Sequence, residues 1–154
     1  MIESQKYLTS EKMAEFKKEL EFLKTERRKE VAESLEYAKK LGDLSENAEY
    51  HEARQAQAEV EDRINHIEDL IKTATIVDSQ TGDVVSIGST VKVQRAGDSD
   101  IKEYKIVGSE EADMAAGKVS NLSPLGSALL GKKKGDKVSF DTPKGKAVYT
   151  LISI

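Results

Sequence analysis

The sequence predicts an α+β chain, with an N-terminal antiparallel α-helical coiled-coil hairpin followed by a small antiparallel-sheet domain that carries one short helix. Three observations predict it. Apolar residues in the first half recur at the 3-4 spacing of a helical seam. Near residues 76–80 the pattern changes to β-branched alternation. Between the two helical runs lies a short polar stretch, LGDLSEN, too short to let the helices be anything but antiparallel neighbours. The expected domains are residues 1–77 and 78–154.

The first helix opens in LTSEKMAEFKKELEFL, with Thr9 or Ser10 as N-cap and Glu11 in the first turn. Its seam runs Met13, Phe16, Leu20, Leu23, Arg27, Val31, Leu35 and Ala38. The consecutive four-residue steps through Arg27 form a stutter, which unwinds a supercoil locally. Arg27 has two readings, a side chain snorkelling over the partner helix or a register-fixing ion pair. Gly42 is the expected C′ residue. The second helix is expected from near Leu44 to near Ala74, with Ala53, Ala56, Val60, Arg63, Ile67, Leu70 and Ala74 on the seam, flanked by Ile64 and Ile71. Small residues near the connection predict close approach there, and large ones predict an anchored base. Helices of about 30 residues each give a finger ~45 Å long.

In the second half, ATIVD, STVKVQR, KEYKIVG, DKVSF and KAVYTLISI read as strands separated by Gly and Asp clusters. One short helix interrupts them, with Ser123 as N-cap, Pro124 at N1 and Gly131 as C′.

Composition narrows the function. The chain has 154 residues, no Cys and a net charge of −4, so it has no thiolate metal site and no bulk basicity for tight binding to bare nucleic acid. Residues 1–75 hold 13 Lys+Arg against 18 Asp+Glu, so the acidity sits in the hairpin. MIESQKYLTSEK lacks the apolar core of a signal peptide, and no run is long enough to span a membrane, so a soluble, cytoplasmic protein is expected. Only His51 and His66 are histidines, which disfavours zinc; no P-loop is present. His51 reads as a polar tip residue rather than a general base. The lysines at 132, 133, 134 and 137 read either as a phosphate contact or as a solvated turn.

The chemistry concentrates in LGDLSENAEYHEAR, residues 41–54. Spacing alone leaves Asp43 and Glu46 open to two readings. D-x-x-E at a helix start resembles a capping box, both acids favouring the positive helix end. Two carboxylates at the apex of a finger also suit Mg²⁺, which is held by one or two carboxylates plus substrate phosphates. By itself such a site is incomplete.

GDLSENAEYHEAR resembles the signature of the Gre family, bacterial transcript cleavage factors that act on RNA polymerase. LTSEKMAEFKKELEFLKTERRKEV, YKIVGSEEAD, SPLGSALLGKKKGDKV and TPKG resemble further blocks of that family, in order along almost the whole chain. The resemblance implies an FKBP-like second domain that docks at the rim of the polymerase secondary channel, while the finger enters the channel. It implies that Asp43 and Glu46 are the tip acids that assist a second Mg²⁺ shared with the polymerase, and that Asn47 and Tyr50 support them. Ser123 and Pro124 fall in the polymerase-contacting region. The implied partners are bacterial RNA polymerase and the nascent RNA 3′ end of a backtracked complex, with the factor a monomer and not an enzyme by itself. Ser45 and Leu122 depart from the family pattern, at the tip and at the docking region. A same-fold inhibitor of the polymerase, a peptidyl-prolyl isomerase and a coiled-coil chaperone are the rival readings.

Overall fold

The computed structural model describes residues 5–154. Contacts separate two compact units: Met13–Thr73, and the described residues up to Lys12 together with Ala74–Ile154. By contacts the division falls at 12/13 and 73/74. The cause is a short strand, β1 (Tyr7–Leu8), which pairs in parallel with β2 (Thr75–Ile76), Tyr7 opposite Thr75 and Leu8 opposite Ile76.

The first unit is a helical hairpin. Thr9 is the N-cap of its leading helix: the hydroxyl accepts from Lys12 N at 3.1 Å. The helix runs as α1 (Ser10–Phe22), a π-helical segment (Leu23–Arg27) and α2 (Arg28–Lys39). The π segment lies where the sequence has its stutter. Arg28 N donates to Leu23 O, five residues back, and this wider turn holds one extra residue. Leu23, its first residue, and Val31, beyond it in α2, are both buried. The Thr25 hydroxyl donates to the Glu21 carbonyl at 2.8 Å within the same stretch.

The returning helix, α3 (Ala48–Thr73), has 26 residues and is ~39 Å long, shorter than its sequence expectation because it starts at Ala48 and not near Leu44. Ala53, Val60, Ile64, Ile67 and Leu70 are buried along it. Ile64 takes the seam position that heptad counting gives to Arg63. Arg63 instead reaches Glu19 with two hydrogen bonds (2.7 and 3.1 Å), and its guanidinium lies 5.7 Å from the Phe16 ring centroid. Arg28 grips Glu61 in the same way (2.8 and 2.9 Å), and Lys24 meets Glu68 at 2.7 Å. These bridges are exposed, so solvent screens them and they stabilise the hairpin little.

The second unit holds a five-stranded sheet in the order β5-β4-β3-β7-β6. The strands are β3 (Thr90–Arg95), β4 (Ile101–Val107), β5 (Lys118–Ser120), β6 (Lys137–Thr142) and β7 (Gly145–Ser153). All neighbours are antiparallel except β4 and β5, which are parallel, so the sheet is mixed where the sequence predicts an antiparallel one. A short helix, α4 (Pro124–Leu129), covers one face. Its Leu125 and Leu129 join Val91, Val93, Ile106, Val119, Val138 and Leu151 in the core. Alternation explains the register: Val91 and Val93 are buried, and Lys92 between them is exposed. Glu111, buried beside the sheet, accepts from Thr9 N at 3.0 Å and from the Thr9 hydroxyl at 2.9 and 3.0 Å, with Lys118 Nζ 3.6 Å away. Asp78 accepts from Ser10 N at 2.8 Å and from the Ser10 hydroxyl. Among the described residues no helix is long and apolar enough to cross a membrane.

Candidate functional site

The connection between α2 and α3 carries the tip acids. Helix α2 ends at Lys39, with Lys40 as C-cap, so Gly42 lies one residue beyond the C′ position assigned to it from the sequence. Its φ of 134° is a backbone conformation that side chains rarely adopt, and it turns the chain. Asp43 follows. Its Oδ1 accepts from Ser45 N at 3.0 Å and from the Ser45 hydroxyl at 2.9 Å, an Asx-turn. These bonds hold the carboxyl below the usual aspartate range, the Ser45 N–H contributing most and the Ser45 hydroxyl next. The second oxygen of Asp43 has no hydrogen-bond partner among the described residues.

This geometry overturns the capping-box reading. Asp43 caps a turn, and the helix cap is Asn47. Asn47 Oδ1 accepts from Tyr50 N at 3.0 Å, and His51 N donates to Asn47 O at 3.1 Å as the first bond of α3. Asn47 also donates through Nδ2 to Ala38 O at 2.6 Å, which ties the end of α2 to the start of α3. Glu46 therefore precedes the helix. It is exposed and makes no hydrogen bond or ion pair among the described residues.

Tyr50 is half-buried on the first turn of α3, and its ring meets the edge of His51 with centroids 5.6 Å apart. His51 Nε2 lies 3.4 Å from Ser45 O, a tip contact that gives the imidazole no acid to work with. The sequence reasoning missed Ser45 as the group that fixes Asp43. The signal was present as Asp followed two residues later by Ser, the pattern of an Asx-turn. Leu41 and Leu44 flank Asp43 and are both exposed.

Below the tip, the small residues Ala38, Ala53 and Ala56 leave a groove of about 340 Å³ between the helices, where the sequence predicts close approach. Arg27 lines it and pairs with Glu30 of its own helix at 3.2 Å, which supports the snorkelling reading. Among the described residues no group of three or more His, Cys, Asp or Glu is placed to hold a metal ion.

The second candidate region is the start of α4. Ser123 is the N-cap, as its place before Pro124 predicts: its hydroxyl accepts from Gly126 N at 3.0 Å and donates to Ser120 O at 2.7 Å. Pro124 occupies N1 and is exposed, and Gly131 follows the C-cap with φ 80°. A side chain at Gly126 would lie 1.9 Å from Ser120 O, so glycine is required for α4 to pack there. Leu122, 59% exposed, stands beside Ser123. Lysines 132, 133 and 134 are exposed, and Lys133 and Lys134 line a shallow concavity with Asp83.

Residues 6–76 match the family described as transcription elongation factor, N-terminal, and residues 79–154 match transcription elongation factor, GreA/GreB, C-term. The chain is 47% identical to the transcription elongation factor GreA of Alkaliphilus oremlandii, covering 100% of this chain and 98% of that one. It is 46% identical to the protein of the same name from Halalkalibacterium halodurans, over 99% of this chain and 98% of the relative. Among solved structures, the GreA factor homolog 1 (Gfh1) protein of Thermus thermophilus is 30% identical over 97% of this chain and 98% of that one, with a TM-score of 0.44. With both halves matched in order and full-length relatives at this identity, the chain belongs to the GreA/GreB family of transcription elongation factors.

Proposed function

We infer that this chain is a transcript cleavage factor: it engages bacterial RNA polymerase and stimulates the polymerase's own hydrolysis of the RNA 3′ end in backtracked complexes, without being an enzyme by itself. The observation that carries this reading is the state of the two tip acids. Asp43 is ionised, fixed by Ser45 and free on its second oxygen, and Glu46 is exposed and unpartnered among the described residues. Structural acids at a helix start are used up by capping; here Asn47 performs the capping and the acids are left over.

The donor set fits a shared Mg²⁺ rather than a resident one. Two carboxylates are hard oxygen ligands of the kind Mg²⁺ prefers, and they are too few to hold it alone. Such an ion, when bound, supplies Lewis-acid activation of water. The chain's own contribution is positional. Ser45 holds Asp43, Asn47 fixes the end of α2 against the start of α3, and Tyr50 donates its N–H to Asn47, so both carboxylates are carried at the end of the hairpin. A carboxylate not engaged with the ion would orient the attacking water. Ser123 and Pro124, on the rigidly capped start of α4, are proposed as part of the polymerase contact, at the rim of the secondary channel. Against the rival within the same fold, an inhibitor of the polymerase, the intact Asp43/Glu46 pair argues for cleavage.

The test is RNA cleavage in a stalled, backtracked elongation complex of the cognate polymerase, with and without this protein. Faster shortening of the RNA from its 3′ end is expected. Slowed elongation with no added cleavage would establish the inhibitor reading instead.

A further inference from the structure

The core face of the sheet continues past the core at the β6–β7 end. Phe140 and Thr142 share a face with the core residue Val138, and Ala147 and Tyr149 share it with the core residue Leu151. There the rings of Phe140 and Tyr149 stack, with centroids 5.7 Å apart and planes within 7° of parallel. Together with Arg95 and Lys144 they line a concavity of about 270 Å³. The Arg95 position is in register with Tyr149, and Lys144 sits in the hairpin turn. That turn is stiff: Pro143 fixes one φ angle, the Thr142 hydroxyl donates to Gly145 O at 2.6 Å, and Lys144 N donates to the Thr142 hydroxyl at 3.3 Å.

The concavity carries two cations and no carboxylate. On the hairpin, Lys24, Arg28 and Arg63 are each matched to a glutamate. Arg95 and Lys144 have no ion-pair partner among the described residues, and no carboxylate lines the concavity. Asp141 pairs in register with Lys146, on the opposite face from Phe140. The stretch from 131 to 146 holds six lysines against two aspartates, in a chain whose net charge is −4. Phe140 and Tyr149 are half-buried at the edge of the core, and a partly accessible aromatic pair flanked by cations is an arrangement that stacks bases and neutralises phosphates along a single strand.

We propose that this concavity, formed by Phe140, Tyr149, Arg95 and Lys144, is a binding site for single-stranded nucleic acid, in which a base stacks on the aromatic pair and flanking phosphates meet Arg95 and Lys144. It is separate from the tip acids and does not depend on their role. The more extended ligand is favoured over a lone nucleotide because the cations lie on two sides of the rings, on β3 and in the β6–β7 turn, and the concavity is open to solvent.

The experiment titrates the full-length chain with a fluorescein-labelled single-stranded oligoribonucleotide and follows anisotropy at low and at physiological salt. Uridine monophosphate and a Glu-rich peptide serve as competitors. Tyr149→Leu is expected to weaken binding about 5- to 100-fold without changing the salt slope. Tyr149→Phe keeps the ring and should keep the affinity, which separates loss of stacking from loss of fold. Arg95→Ala and Lys144→Ala should each weaken binding and lower the slope of log K against log salt by ~0.7. Lys102→Ala, at an exposed position of β4 outside the concavity, should do neither. Absence of binding, an equal effect of Lys102→Ala, or indifference to Tyr149→Leu would overturn the proposal. So would competition by the peptide as strong as by unlabelled strand, or uridine monophosphate binding as tightly as the strand.

Discussion

Replacing Asn47 tests whether the tip is organised as described. Its side chain makes two bonds of different kinds. Oδ1 caps α3 by accepting from Tyr50 N at 3.0 Å, and Nδ2 reaches Ala38 O at 2.6 Å. Losing an Asn cap costs about 1 kcal/mol. Losing the second bond costs about 0.5–1.5 kcal/mol, toward the lower end because Ala38 O also accepts from Leu41 N at 3.1 Å. Asn47→Ala should therefore destabilise the hairpin by about 1.5–2.5 kcal/mol. Asn47→Asp keeps an acceptor at the positive helix end and removes only the donor, so it should cost about 1 kcal/mol less than alanine. Urea unfolding followed by helical circular dichroism measures both. Equal stabilities for wild type, Asn47→Ala and Asn47→Asp would refute Asn47 as the cap and return that role to Asp43. Stimulated cleavage should also fall in Asn47→Ala at saturating factor, because the acids lose the frame that holds the two helix ends together.

Ser45→Ala removes the hydroxyl bond to Asp43 and keeps the N–H bond, so the Asp43 carboxyl should rise part of the way toward the ordinary aspartate range in a carbon-13 NMR titration. Because the folded value is depressed, the tip's contribution to stability is complete above the ordinary range and is lost as pH falls through the folded value; in the variant that loss should begin at higher pH. Glu111→Ala should cost about 2–3 kcal/mol in chemical unfolding, since Thr9 N–H and its hydroxyl lose a buried charged acceptor. Gly126→Ala places a methyl 1.9 Å from Ser120 O and should cost about 1–3 kcal/mol by unfolding; it should also weaken polymerase binding by displacing Ser123 and Pro124.

Long periodic features were legible in the sequence. Phe16, Leu23, Val31, Leu35 and Ala38 all sit on the counted seam and are buried, and the stutter marked the π segment. Ser123 and Pro124 were legible because an N-cap followed by proline has few alternatives. Heptad counting failed at Arg63, where Ile64 is the buried neighbour and the arginine finds Glu19. Strands β1 and β5 were invisible, being two and three residues long and carrying no alternation to count. The capping reading of the tip, one of the two that spacing left open, fails for a local reason. D-x-x-E and N-x-x-Y compete for the same helix start, and Asp43 is removed from that competition by Ser45, a contact that depends on the turn at Gly42.

The central claim is that Asp43 and Glu46 act as ligand donors and not as structural acids. It is tested most directly by RNA cleavage in backtracked elongation complexes at saturating factor, across a Mg²⁺ titration, for wild type, Asp43→Asn and Glu46→Gln. Both substitutions keep shape and remove charge, and Asn at 43 can still accept from Ser45. The account predicts that each cuts stimulated cleavage by about 100-fold or more, the effect of losing a group that stabilises charge in the transition state. Polymerase affinity should stay close to wild type, and the deficit should shrink as Mg²⁺ rises, since mass action partly replaces a lost ligand. Near wild-type cleavage by both variants at every Mg²⁺ concentration would contradict it.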